Sequence, residues 1–123
     1  MILADTSVWI QFFRAGDSEL QTLLEEGRVA MHDFVLGDLA CGNLRNRSRT
    51  IADLRLLPRI AAATTDETLA LIANHRLHGR GLGWTDAHLL AAALLARCEI
   101  YTRDRALAKT ARNLAIAHLG PRE

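Results

Sequence analysis

The sequence predicts one α/β domain over residues 1–123, a central, mainly parallel sheet of about four or five short strands flanked by helices. Three observations lead there. Short apolar runs of strand length alternate with longer stretches whose apolar residues recur at three- and four-residue intervals. The 123 residues suffice for one compact core and leave little room for a second. Half of the chain is apolar and 24% is charged, the balance of a folded protein rather than a disordered one.

Ile2 to Ala4 reads as the first strand, and Asp5-Thr6-Ser7 supplies side-chain oxygens to cap the helix that follows. Glu19-Leu20 and Leu23-Leu24 carry helical spacing, which stops at Gly27. Val29 to Met31 forms a second strand, after which Asp33 suits the N-cap of a helix from Phe34 to about Arg47. Thr50 to Leu57 is helical until Pro58 halts it, and Ile60 to Ala63 is a short strand. A helix over Thr65 to Leu77 places Leu69, Ile72, Ala73 and Leu77 on one side. The loop Gly79 to Gly83 then opens a helix from Trp84 to Cys98, apolar on so many sides that it is expected to be buried nearly all round. Ile100-Tyr101, a helix from Arg105 to Leu114, and an edge strand from Ala115 to His118 complete the order.

No apolar run approaches the roughly 20 residues that span a bilayer, and the start lacks the pattern of a secretory signal, so a cytoplasmic protein is expected. Cys41 and Cys98 lie far apart in apolar surroundings and read as buried free thiols. A net charge of +1 neither requires nor excludes nucleic acid. All 15 basic residues except Lys109 are Arg, whose planar fork suits phosphate, although codon usage alone accounts for such a bias.

In a sheet of this kind ligands bind beyond the carboxyl ends of the strands. Four carboxylates fall where that rim should be. Asp5 follows the first strand, Asp38 lies in the helix after the second, Asp86 occupies the first turn of the Trp84 helix, and Asp104 follows Ile100-Tyr101. Asp5, Asp86 and Asp104 each have a bland role open to them at a helix start. Asp38 does not, being placed inside the predicted helix among Val35, Leu36, Leu39 and Cys41. Oxygen ligands select a hard cation such as Mg²⁺ or Mn²⁺. Ions of that kind activate water and hold a phosphodiester in line for hydrolysis.

The segments ILADTSVWI, FVLGDLACGNLR, GRGLGWTDAHLLAAAL and YTRDRALAKTA, in this order, resemble PIN domains, and especially the toxin subunits of VapBC toxin–antitoxin modules. The resemblance covers essentially the whole chain. It implies a divalent-metal ribonuclease acting on RNA and a cognate antitoxin as partner; a homodimer is expected separately, through apolar surface left on the Thr50–Leu57 and Thr65–Leu77 helices. The family's acidic residues fall on Asp5, Asp38, Asp86 and Asp104, and Ser7 and Thr102 match hydroxyl residues of the same site. The family usually carries Glu where this chain has Asp38. The shorter side chain withdraws its carboxylate by over about an ångström, a gap that a bridging water fills more readily than Mg²⁺ tolerates.

Arg14, Arg45, Arg47, Arg80 and Arg103 are candidate RNA contacts, each weak by itself. His88 points to another helix face than Asp86, His75 and His78 read as solvent-exposed, and Trp9 and Trp84 read as core anchors. Two rival readings remain: a phosphotransfer or receiver-like α/β domain, and a PIN-like binding module weakened in catalysis at Asp38. The first lacks a second Asp two residues after Asp5, where Ser7 stands, and leaves Asp38 and Asp86 without a role.

Overall fold

The computed structural model describes residues 1–120. Its elements run β1 (Ile2–Ala4), α1 (Thr6–Ala15), α2 (Ser18–Glu25), β2 (Val29–Ala30), α3 (Asp33–Ala40), α4 (Arg47–Arg55), α5 (Thr65–Asn74), α6 (Trp84–Ala96), β3 (Glu99–Tyr101) and α7 (Arg105–Asn113). The three strands are parallel in the order β2-β1-β3, with Leu3 opposite both Ala30 and Ile100. Every residue of β1 is buried, as a central parallel strand covered on both faces requires. The chain leaves β1 for one edge and later returns to the other, so the topological switch lies at the carboxyl end of β1. Asp5 is the residue at that point.

The sheet is narrower than its sequence predicts. The outer two expected strands shrink to single parallel bridges, Met31 to Arg59 and Ile100 to Ala117. Pro58 has no N–H to extend the first, and Ala115, at φ 60°, bends the chain just before the second. The helix expected over 34–47 stops at Ala40, and the one expected from Thr50 starts earlier, at Arg47, behind Asn46 in the left-handed region. The cap of α3 is His32 rather than Asp33, since Nδ1 of His32 accepts from the Phe34 N–H at 2.9 Å.

The core gathers Leu3, Trp9, Leu20, Met31, Leu90, Ile100 and Leu107. In α6 the run Ala87–Ala93 is buried throughout, as its broad apolar surface predicts. Four expectations on burial are corrected. On α5 the inward residues are Thr68 and Leu71, while Leu69 and Ala73 face out. Cys98 is buried but Cys41, one residue past α3, is exposed. Trp9 is a core anchor, yet Trp84 at the first position of α6 is 45% exposed. Asp38 is exposed in the last turn of α3, so the cost of burying it does not arise. Among the described residues no helix is long and apolar enough to cross a membrane.

Candidate active site

Asp5 lies at the bottom of the site. It is 6% exposed and caps α1 through its side chain, which accepts from the Val8 N–H at 3.3 Å. Two hydroxyls grip the same carboxylate. Ser7 Oγ donates to Oδ1 at 2.5 Å, and Thr102 Oγ1 donates to Oδ2 at 2.6 Å. Each hydroxyl has one proton and spends it on Asp5, so the 3.5 Å approach between them is a contact of two acceptors. Their lone pairs reach across to the turn after β3: Ser7 Oγ accepts from the Arg103 N–H and Thr102 Oγ1 from the Asp104 N–H, both at 3.0 Å. Buried Asp5 and the turn that carries Asp104 are therefore tied together through two side chains 95 residues apart in sequence.

The other carboxylates surround this clamp, each held by one oxygen. Asp38 Oδ2 accepts from Thr6 Oγ1 at 3.2 Å, next to Asp5 in the chain. Asp104 Oδ1 caps α7 on the Leu107 N–H at 2.9 Å, and Asp86 Oδ2 accepts from the N–H of Gly83, the residue that caps α6, at 3.1 Å. Partial burial pushes the Asp86 carboxyl above the ordinary aspartate range, against the Gly83 bond, and the charges of Asp104, Asp5 and Asp38 push it further the same way. Asp86 thus feels the charges of the other three acids from its place in the first turn of α6.

Among the described residues no three of His, Cys, Asp or Glu stand close enough to grip one ion as they lie. The donor set nevertheless fits a hard dication. It consists of oxygens only, it carries the charge repulsion felt at Asp86, and Asp38, Asp86 and Asp104 each keep one carboxylate oxygen outside the protein's hydrogen bonds.

Two grooves lead away from the rim. One, of about 710 Å³, runs between α1 and the segment 42–46 and is lined by Ile10, Phe13, Arg14, Asp38, Leu44 and Arg45 among others. The other, of about 420 Å³, holds Thr102, Arg103, Asp104, Arg105, Lys109 and Arg112. The structure thereby sets Arg14 and Arg45 beside Asp38, and Arg103 beside Asp104. Arg47 lines neither groove. Arg80 is exposed in a loop whose neighbouring Gly81, at φ +79°, would bring an added side chain into contact with Ala106 at the start of α7.

His88 is buried, 4.5 Å in ring centroid from Trp84 and 4.8 Å from Phe34, with Nδ1 3.3 Å from Thr68 Oγ1; it packs rather than faces the acids. His75 and His78 are exposed as expected. Sequence reasoning missed Asp17. It caps α2, receives the Tyr101 hydroxyl on both oxygens at 2.8 and 2.9 Å, and stands 3.6 Å from Arg103. Burial, and then Asp17, push the Tyr101 hydroxyl well up. The available signal was Asp17-Ser18-Glu19, a helix-start pattern. The basic side of α7 was missed too, though Arg105, Lys109 and Arg112 are spaced to share a face.

The PIN domain family profile matches residues 2–113. This chain belongs to the PIN domain family. Ribonuclease VapC32 of Mycobacterium tuberculosis is 42% identical to it over 108 residues, 87% of either chain. A toxin–antitoxin complex from Klebsiella pneumoniae contains a chain of the same fold, with TM-score 0.66, 25% identity, and coverage of 85% of this PIN domain and 87% of that one. VapC20 of M. tuberculosis, a toxin that cleaves the sarcin–ricin loop, superposes with TM-score 0.69 over 98% of this chain and 100% of its own; at 21% identity the likeness concerns fold.

Proposed function

We propose that this PIN domain is a divalent-metal-dependent endoribonuclease acting in the cytoplasm as the toxin of a type II toxin–antitoxin module. The observation that supports the reading is that Asp86 feels the charges of Asp104, Asp5 and Asp38, acids carried by three other segments of the chain. The 42% identity to a ribonuclease of the VapC type supports RNA as the substrate. The four carboxylates would hold Mg²⁺ or Mn²⁺. When bound, such an ion supplies an activated water and stabilises charge on the phosphodiester oxygens.

The chain's own residues have separable duties. Ser7 and Thr102 fix the Asp5 carboxylate in one orientation and, with their protons spent on it, cannot serve as acids. Asp86 holds its proton more tightly than an ordinary aspartate, because burial and three like charges oppose its ionisation. Arg14, Arg45 and Arg103, which line the two grooves, and exposed Arg80 would meet RNA phosphates, Arg103 while also facing Asp17.

An antitoxin is the proposed partner, and the likeness to a chain from a toxin–antitoxin complex supports it. A short basic segment laid over the acidic rim would block access and neutralise the carboxylates. A homodimer is proposed through apolar surface at α4 and α5, where Leu56 is 83% and Leu69 50% exposed.

The test is incubation of the purified chain with total RNA, with divalent metal or with EDTA, followed by sequencing of new ends. Cleavage is expected only with metal, and Asp5→Asn should lower its rate by orders of magnitude without unfolding the protein. Cutting that ignores EDTA or that survives Asp5→Asn would overturn the reading. A metal-loaded parent that binds RNA without cutting it would favour a binding module instead.

A further inference from the structure

The helix α7 breaks two local rules on its outer side. Its inner side is formed by buried Leu107, Thr110 and Ala111. Its outer side carries Arg105, Lys109 and Arg112 at successive four- and three-residue steps, all exposed. Like charges at that spacing repel by a few tenths of a kcal/mol per pair. Arg105 is moreover the first residue of the helix, where the dipole disfavours a cation. Arg112, in the last turn, is the only one of the three that the helix itself favours. Among the described residues none of the three has a carboxylate within ion-pair distance, whereas Arg28, Arg49, Arg59 and Arg103 each have one. A net charge of +1 makes this a local concentration rather than a share of a general excess.

We propose that Arg105, Lys109 and Arg112 form a track for the sugar-phosphate backbone of the single-stranded RNA that flanks the bond to be cut. The proposal rests on the ribonuclease reading above. The groove that holds these side chains also holds Thr102 and Asp104, so a strand lying on α7 leads directly to the carboxylate rim. Four residues of helix advance about 6 Å, a step comparable to that between neighbouring phosphates of an extended strand. Contacts of this kind position the strand without reading its bases.

The experiment measures binding of a fluorescein-labelled, mixed-sequence 12-nucleotide RNA by anisotropy, in EDTA to prevent cutting, across a series of salt concentrations. Each phosphate contact with a single strand contributes about 0.7 to the slope of log affinity against log salt. The triple variant Arg105→Gln/Lys109→Gln/Arg112→Gln should therefore lower the slope by about 2 and weaken binding about a hundredfold at 0.1 M salt relative to 1 M. A control variant, Arg55→Gln/Arg76→Gln/Arg97→Gln, removes the same charge from exposed positions outside both grooves and should bind almost as the parent does. Equal losses in the two variants, or none in the first, overturn the track. A parent that neither binds this RNA in EDTA nor cuts it with metal overturns the ribonuclease reading itself.

Discussion

Replacing Thr102 by Val tests the hydroxyl clamp with almost no change of shape. The substitution removes the one protein donor to Asp5 Oδ2, a 2.6 Å bond, and the acceptor of the Asp104 N–H. Asp5 is only 6% exposed, so water replaces the lost donor poorly, whereas Asp104 is exposed and its N–H can turn to solvent. A hydrogen bond to a charged group is worth about 1.5–3 kcal/mol, which sets the expected loss near 2 kcal/mol. With an unfolding entropy of about 2.1 cal/mol/K per residue, the 123-residue chain should lose about 8 °C in Tm. Ser7→Ala leaves the Val8 N–H on Oδ1 and should cost about half as much. The two losses should fail to add by at least about 0.5 kcal/mol, since both hydroxyls serve one carboxylate. Urea denaturation and thermal melting of the parent, the two single variants and the double variant in EDTA measure all of this. A Thr102→Val protein within about 0.5 kcal/mol of its parent would mean that the hydroxyl does not hold Asp5, and the tie between β1 and the turn after β3 would have to be abandoned.

Three further outcomes follow from the acidic rim. Asp86 binds its proton more tightly in the folded chain than at its ordinary value of 3.8, so folding loses stability as pH rises through and above that value. Asp86→Asn, which can still accept from Gly83, should thus be more stable than the parent at pH 7 without metal, with the gap closing toward pH 4; a less stable variant at pH 7 would contradict it. Asp38→Glu lengthens the side chain by one methylene and should raise the metal-dependent cleavage rate, while an unchanged or lower rate would mean that the site has adapted to Asp38 and Thr6. Mg²⁺ or Mn²⁺ at a hundred times its dissociation constant should add about 2.7 kcal/mol of stability, and a melting temperature indifferent to metal would remove the ion from the proposal.

The order of elements was legible because strand and helix impose different apolar periods, and β1, β2, β3 and α6 lie within a few residues of where those periods put them. The rim was legible for a related reason: in a parallel α/β sheet, polar residues in the turn after a strand stand at the carboxyl edge, so Asp5, directly after β1, and Asp104, three residues past β3, declare their place from their neighbours alone. Asp38 was located correctly but for a mistaken reason, because the end of α3 at Ala40 depends on the turn through 41–46 and not on apolar spacing. What no one-dimensional pattern carries is which side chains meet across the sheet. Ser7 and Thr102 on one carboxylate, the Tyr101 hydroxyl on Asp17, and the shared field of four acids at Asp86 are long-range pairings. Hydrogen bonds and desolvation act over a few ångströms of space, and only the packed sheet brings residues so distant in the chain within that range.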